Sequence, residues 1–176
     1  MIYKFISILF TFWIRLRYFN RIKLSGIIIL DEGFAKISID KGAKLIIKGN
    51  VSLRKNTQIL IRENAICIIG KGSFFNRNCS IVCRKNIEIG EDCLFGEDVK
   101  IYDNDHLVDA NKIYKKKFKT SKVLIGKNVW VGNNVNILKQ SIIYSNSIIG
   151  AMSLVTSDLK EPGVFVGIPA KRIKSR

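Results

Sequence analysis

His106 is the only histidine of this 176-residue chain, and Asp103, Asp105 and Asp109 all stand within three residues of it. Histidine readily takes up a proton near neutral pH, so it suits a general base that activates a hydroxyl group. A neighbouring carboxylate could orient its ring. A solitary histidine is also common as an ordinary surface or core residue, so the interpretation depends on the surrounding elements.

No pattern of metal ligands accompanies this histidine. The four cysteines, Cys67, Cys79, Cys83 and Cys93, include no CxxC pair. A zinc site built from them and one histidine is therefore not expected, and we predict no metal. The cysteines are interpreted as reduced thiols packed in the core of a cytosolic protein.

An aliphatic residue recurs at every sixth position near the carboxyl end of the chain. The residues are Ile125, Val131, Ile137, Ile143, Ile149 and Val155. A helix repeats at 3.6 and an open strand at 2, so this period fits neither. It is typical of a parallel β-helix, in which each hexapeptide is one flat side and three sides close a triangular coil. The pattern extends back to about Ile37 with two-residue slips, which leaves room for roughly six coils.

One long segment interrupts the repeat. Between Ile101 and Ile125 no six-residue pattern survives, and this stretch contains His106. Residues 102–124 are therefore predicted to form a loop that protrudes from the solenoid, where functional residues are usually placed. Four of its lysines could meet an anionic glycan, a diphosphate lipid carrier or nothing at all; they are Lys115, Lys116, Lys117 and Lys119.

The chain is expected to be a single domain in three parts. Residues 1–24 form a basic, aromatic-rich helical segment, residues 25–160 the β-helix, and residues 161–176 a basic tail. The apolar run Phe5 to Ile14 is too short to span a bilayer, and a signal peptide is disfavoured because no A-x-A-like cleavage site follows it. The first segment could lie at an anionic membrane surface, cap the open end of the coils, or do both.

The chain is strongly basic, with 30 Lys and Arg residues against 14 acidic residues, a formal net charge of 30 − 14 = +16. Such a surface attracts phosphates, nucleic acid or a membrane face. Tyr114 and Phe118 are the only aromatic residues in the Lys-rich stretch 112–122, so a platform for stacking bases is not evident. We therefore predict no nucleic-acid partner.

Four motifs in order resemble those of the hexapeptide-repeat acyltransferases, and most closely the sugar and polysaccharide O-acetyltransferase branch. They are Tyr102–His106, Ile125–Gly132, Ile149–Thr156 and Gly167–Lys174. The resemblance covers roughly residues 37–174. It implies an all-β fold, a left-handed parallel β-helix assembled as a homotrimer, with acetyl-CoA as the acyl donor. Met152 departs from the family pattern, which often has glycine at that position.

The resemblance also implies roles for particular residues. His106 would be the general base, with Asp105 and Asp103 beside it in the catalytic group, in a direct transfer without an acyl-enzyme. Asn78 and Asp109 are expected near the acceptor. The expected cofactor contacts are Trp130, Asn133, Ala151, Ser153, Thr156, Ser157, Lys171, Arg172 and Lys174.

The function implied is acetyl-CoA-dependent O-acetylation of a sugar hydroxyl in a bacterial surface polysaccharide or its precursor. Two alternatives remain open. One is acetylation of a small molecule such as a free sugar, serine, an amino-sugar nucleotide or an antibiotic; the other is a non-catalytic β-helix scaffold. The expected location is the cytoplasm, including peripheral attachment to the inner face of the membrane through residues 1–24.

Overall fold

The computed structural model describes residues 2–175, which form one helix, α1 (Ile2–Arg17), followed by β-strands. Met1 and Arg176, the outermost residues of the predicted amino-terminal segment and tail, lie outside the described residues. The helix ends at Arg17 and the first strand begins at Ile22, whereas the predicted helical segment runs to residue 24.

The strands stack on three faces of a triangular prism, named here A, B and C in the order in which the chain visits them. Face A consists of β1 (Ile22–Leu24), β4 (Lys44–Lys48), β7 (Ile66–Gly70), β10 (Asn86–Ile89), β15 (Val123–Ile125) and β18 (Ile142–Ile143). Face B consists of β2 (Ile28–Asp31), β5 (Val51–Arg54), β8 (Phe74–Phe75), β11 (Leu94–Phe95), β16 (Trp130–Val131), β19 (Ile148–Ile149), β21 (Val164–Val166) and β22 (Lys171–Lys174). Face C consists of β3 (Lys36–Ile39), β6 (Gln58–Ile61), β9 (Ser80–Cys83), β12 (Lys100–Tyr102), β17 (Asn136–Ile137) and β20 (Leu154–Val155). All neighbours within a face are parallel except β22, which pairs antiparallel with β21.

One strand from each face makes a coil, so β1 to β12 form coils 1 to 4, and β15 to β20 form coils 5 and 6. The predicted fold class, a β-helix of about six coils with a protruding segment and one helix, is confirmed. The register explains the period, because the aliphatic of each repeat stacks on its equivalent in the next coil. Ile59 pairs with Ile81, Ile81 with Ile101, and Ile101 with Ile137.

The inward side chains of successive coils form one continuous apolar column inside the prism. Phe75 and Phe95 stack face to face within it, with ring centroids 4.5 Å apart. All four cysteines are free thiols buried in the same column. Because each coil buries its apolar side chains against its neighbours, the fold is held together by contacts between adjacent coils.

Most corners of the prism place one residue in the left-handed region of backbone conformation, where asparagine and aspartate are tolerated better than most residues. Asn128 and Asn146 are examples, and the side-chain amide of Asn128 donates to the side-chain oxygen of Asn146 at 2.8 Å. Met152 occupies the same corner conformation with φ +62°. Glycine would adopt this conformation without the strain that a methionine side chain brings.

Helix α1 covers the open end of coil 1, mainly along β2. The hydroxyl oxygens of Thr11 and Ser7 accept the backbone N–H groups of Ile28 and Leu30 at 2.9 and 2.8 Å. Ile14, on the same side of the helix, is fully buried. The helix therefore satisfies part of a strand edge that no further coil covers.

The solvent-facing side of α1 is apolar, which reverses the usual arrangement of a surface helix. Its exposed large apolar side chains are Ile2, Tyr3, Phe5, Ile8, Leu9, Phe12, Trp13 and Leu16. Two of them, Leu9 and Trp13, line an apolar groove of about 620 Å³ together with Phe34 and the start of β3. Within residues 2–175, no helix has the length and hydropathy needed to cross a bilayer.

The segment predicted as a protruding loop is a β-hairpin. Strand β13 (Asn104–Val108) pairs antiparallel with β14 (Ile113–Thr120), and the hairpin leaves the solenoid between coils 4 and 5. The register jumps between His106 and Leu107, whose partners are Phe118 and Tyr114. Three exposed residues, Lys115–Lys117, are therefore left out of the pairing as a bulge beside the histidine.

Candidate active site at the hairpin

The hairpin is anchored through Asp103, which follows β12 and is fully buried. Its carboxylate accepts the backbone N–H groups of Arg84, Lys85 and Asn86 at 2.8, 2.7 and 2.9 Å. It also accepts the side-chain amide of Asn104 at 3.2 Å. Asp103 was predicted in the catalytic group. These partners instead tie its carboxylate to the corner between β9 and β10, where it acts as a structural anchor of the hairpin.

The imidazole of His106 is oriented by a backbone carbonyl rather than by an aspartate. Its Nδ1 lies 3.1 Å from the carbonyl oxygen of Tyr114. A carbonyl oxygen can only accept, so this contact assigns the hydrogen to Nδ1 and the free lone pair to Nε2. The ring packs on Phe118, with centroids 4.7 Å apart, and the side chain is exposed. The imidazole is thus held in a form that can receive a proton at Nε2.

The other two aspartates have different partners. Asp105 ties the hairpin to the solenoid, and Asp109 makes its contacts within the hairpin. Asp105 forms an ion pair with Lys139 of coil 5, with 3.1 Å between carboxylate oxygen and Nζ. Asp109 accepts the Tyr114 hydroxyl at 2.7 Å and the backbone N–H of Asn111 at 3.0 Å. The hydrogen bond from Tyr114 holds the pKa of the Asp109 carboxyl below its usual value. Neither carboxylate contacts His106 in the described part of the chain.

A polar cavity of about 410 Å³ lies beside the hairpin, and nothing in the sequence pattern had indicated it. Its lining residues are Asp40, Arg62, Glu63, Arg84, Phe118 and Thr120. The guanidinium of Arg84 lies over the Phe118 ring at 3.5 Å, on the aromatic side chain that also contacts His106. One aromatic residue therefore belongs to both the histidine site and the cavity.

The residues predicted to contact the cofactor fall in several places. Trp130 is half exposed on face B, and Asn133 and Ala151 are exposed at the corner where face B turns into face C. Ser153 is buried, and its hydroxyl accepts the backbone N–H of Gly167 at 3.1 Å. Its side chain therefore takes part in a contact within the fold.

The remaining predicted cofactor residues lie at two other positions. Thr156 and Ser157 follow β20 and stand where face C turns into face A, the corner from which the hairpin leaves. Lys171, Arg172 and Lys174 are exposed on β22, the outermost strand of face B. Arg172 is ion-paired with Glu161 at 2.6 Å, whereas the two lysines of this set form no ion pair among the described residues.

Asn78 also lies away from the histidine. It stands where face B turns into face C, accepts the side-chain amide of Asn56 at 3.2 Å, and has φ +61°. The hairpin leaves at the other end of face C. Five residues of extended chain separate the two corners, about 17 Å at 3.3–3.4 Å per residue. One chain therefore does not bring the predicted acceptor residue Asn78, or the corner residues Asn133 and Ala151, together with His106.

The sequence is similar to curated acetyltransferases. It is 32% identical over 106 residues to galactoside O-acetyltransferase of Escherichia coli (strain K12), a match that covers 60% of this chain and 52% of that protein. It is 33% identical over 142 residues to polysialic acid O-acetyltransferase of Escherichia coli O1:K1 / APEC, covering 78% of this chain and 42% of that protein. A scan against protein-family models found no match.

The fold is likewise similar to that of solved acetyltransferases. A hexapeptide-repeat acetyltransferase from Vibrio cholerae O1 biovar eltor, solved with acetyl-coenzyme A, superposes with a TM-score of 0.58 and 28% identity, covering 62% of this chain and 60% of that one. The chain belongs to the hexapeptide-repeat acyltransferase family. The chain spans about half the length of the curated relatives it matches.

Proposed function

We propose that the protein is an acetyl-CoA-dependent O-acetyltransferase that acts on a sugar hydroxyl, with His106 as its general base. The observation that carries the proposal is the contact of His106 Nδ1 with the Tyr114 carbonyl oxygen, which leaves the Nε2 lone pair for a proton. Similarity to two sugar O-acetyltransferases supports the choice of a hydroxyl as acceptor.

In this reaction Nε2 of His106 takes the proton of the acceptor hydroxyl as its oxygen attacks the thioester carbonyl carbon. A carbon–oxygen bond forms, the carbon–sulfur bond breaks, and the proton passes from Nε2 to the departing sulfur. The contact with Phe118 holds the ring in place during both proton transfers. The buried cysteines take no part, because burial raises the pKa values of Cys67 and Cys79 to about 12 and leaves their thiols protonated.

The residues of the predicted cofactor site fit a long anionic thioester in charge and exposure. Trp130 provides an exposed apolar side chain on face B, and Asn133 and Ala151 leave the adjoining corner accessible. Lys171 and Lys174 add cations at the edge of the same face that form no ion pair within residues 2–175, where phosphates could bind. When bound, the thioester supplies the activated acetyl group. Ser153 would contribute through its backbone only, because its side chain is buried.

The separation of these residues from His106 supports a homotrimer in which the site lies between two chains. The hairpin projects from one corner of the prism and the exposed cofactor residues lie at another, about 17 Å away across face C. A hairpin that reaches over a neighbouring chain would place His106 beside that chain's groove. The proposed trimer thus accounts for a protruding histidine that one chain leaves exposed.

We further propose that α1 attaches the enzyme to the inner surface of an anionic membrane, where a lipid-linked polysaccharide precursor is the natural acceptor. The apolar side of the helix faces solvent, and Lys4, Arg15, Arg17 and Arg21 lie within or just after it. Apolar insertion combined with basic residues is the pattern of interfacial helices. A free sugar is the second candidate acceptor, favoured by the similarity to galactoside O-acetyltransferase.

The test is release of free coenzyme A from acetyl-CoA with a panel of glycans, using two variants. His106→Ala removes the imidazole, and His106→Asn keeps a donor for the Tyr114 carbonyl but no base. We expect both to lose roughly 10²- to 10⁴-fold in rate while circular dichroism stays unchanged. Arg54→Gln, a change at an ion-paired surface residue, serves as the control. Unchanged turnover in His106→Asn would remove the histidine from the mechanism.

A further inference from the structure

The corner at which face C turns into face A carries an unusual set of arginines below the hairpin. Six charged residues stand there in coils 1 to 3: Asp40, Lys41, Arg62, Glu63, Arg84 and Lys85. Four are basic and two acidic, a net of 4 − 2 = +2. The cavity beside the hairpin opens on this corner and is lined by both arginines.

Both arginines carry a side-chain donor that the chain itself does not use. Among residues 2–175, three buried side-chain polar atoms have no hydrogen-bond partner: Arg62 Nε, Arg84 Nε and Ser147 Oγ. Two of the three therefore belong to residues that line a single cavity. Buried polar atoms are nearly always paired in folded proteins, so two unpaired donors on arginines of one cavity point to a hydrogen-bond partner from outside the chain.

Of the two acidic residues of the corner, Asp40 and Glu63, only Asp40 is ion-paired with either arginine among residues 2–175. Asp40 approaches Arg62 at 3.7 Å, a loose ion pair that leaves Nε free. Asp103 lies near Arg84, but its carboxylate is used by backbone N–H groups. Burial lowers the pKa of the Arg84 guanidinium, and the charge of Arg62 adds to the lowering, while Asp103 and Asp40 oppose it. An anion between the two arginines would relieve this repulsion.

We propose that this cavity binds the anionic group, a carboxylate or a phosphate, of the sugar acceptor. The inference rests on the proposed function and deepens it by naming the class of acceptor. Arginine presents a planar fork of N–H donors that suits both groups, and its Nε is one of the donors used in bidentate binding. Phe118 joins the two parts of the site, because it contacts Arg84 on the cavity side and His106 within the hairpin.

Binding can be measured apart from catalysis through the Nε–Hε resonances of ¹⁵N-labelled arginine. The probes are glucose, glucuronate and glucose 1-phosphate, which share a ring and differ in the anionic group. We expect the resonances of Arg62 and Arg84 to shift with at least one anionic probe and not with glucose. A response to glucuronate alone identifies a carboxylate site, and a response to the phosphate alone identifies a phosphate site.

Two variants and a control make the test specific. Arg84→Gln should weaken binding of the anionic probe roughly tenfold or more, from loss of a charge-assisted hydrogen bond. Arg62→Gln should do the same. Among residues 2–175 the cation–ring contact with Phe118 is made by Arg84 and not by Arg62, so this variant remains informative where Arg84→Gln disturbs Phe118. Arg54→Gln removes the same charge from an arginine already paired with Asp31 and should bind normally.

The failures of the two proposals are distinguishable. Absence of any shift with both anions, or an equal shift with glucose, overturns the anion site even when His106→Ala abolishes acetyl transfer. Conversely, clear shifts at both arginines with no acetylation of any glycan would leave the anion site standing and contradict the proposed function.

Discussion

Nδ1 of His106 and the carbonyl oxygen of Tyr114 lie 3.1 Å apart, on facing strands of one hairpin. The bulge of Lys115–Lys117 makes this contact possible, because it shifts the pairing of the two strands between His106 and Leu107. A backbone carbonyl cannot be lost by side-chain substitution. The orientation of the imidazole therefore depends on the geometry of the hairpin. Mutations that disturb the hairpin should slow the reaction by displacing the imidazole.

Phe118 is expected to act as a positioning residue. Phe118→Leu removes the ring packed on His106, and we expect kcat to fall roughly tenfold while KM for acetyl-CoA stays within about twofold, since misplacing a base affects the chemical step. Steady-state kinetics with the best acceptor compares the change in kcat with the change in KM for acetyl-CoA. Phe34→Leu, at an exposed phenylalanine far from the hairpin, is the matched control. A change confined to KM for acetyl-CoA would contradict the positioning role.

Asp103 and Asp105 should differ sharply in their contribution to stability. Asp103→Asn gives an amide where three backbone N–H groups need acceptors, and we expect the free energy of unfolding to fall by roughly 2–4 kcal/mol. Asp105→Asn breaks an exposed ion pair with Lys139 and should cost less than about 1 kcal/mol. Urea unfolding followed by circular dichroism compares them. A stable Asp103→Asn protein with impaired catalysis would instead support the catalytic role first predicted for Asp103.

The exposed side of α1 should bind anionic vesicles. Replacing Phe5, Phe12 and Leu16 together by serine removes apolar side chains without touching Ile14, which faces the core. We expect sedimentation with phosphatidylglycerol vesicles to drop at least tenfold, from loss of buried apolar area, and melting to change little. Phosphatidylcholine vesicles and the unmodified protein are the controls. Equal sedimentation of both proteins would leave α1 with its capping role alone.

The buried thiols predict a loss of stability at alkaline pH. Burial raises the pKa of Cys67 from 9.0 to about 12, so between these values the unfolded thiol ionises and the folded one does not. The free energy of unfolding should then decline by about 1.4 kcal/mol per pH unit for this thiol as the pH rises above 9. Cys67→Ala should have a shallower pH dependence across that range, whatever its stability at pH 7. Identical slopes would contradict the assignment.

The solenoid was predictable because the six-residue period of aliphatic residues is visible in the sequence. An aliphatic residue at every sixth position must face inward for the coils to stack, and the pairing of Ile101 with Ile137 follows directly from that requirement. The sequence leaves the capping role of α1 as one of two alternatives, because it does not reveal that Ser7 and Thr11 accept the N–H groups of the strand edge beside Ile14.

The site was predictable only in part. His106 stood out as the single histidine in the one interrupted segment, but the carbonyl that orients it comes from a strand whose pairing is set by a bulge. Asp103 did carry a readable signal. Its place, two residues after Ile101, matches that of Cys83 after Ile81, which is an inward position. An acidic residue at an inward position must be buried and paired, which argues for anchoring rather than catalysis.

The hairpin leaves the stack with four coils before it and two after it. In a quasi-one-dimensional fold, thermal opening starts at the ends and travels inward, one layer at a time. Partial melting of the first layer, which lies farthest from the hairpin and from the proposed cofactor residues, should therefore leave the imidazole of His106 seated on intact neighbours. Loss of activity on heating would then lag behind the earliest loss of ordered structure.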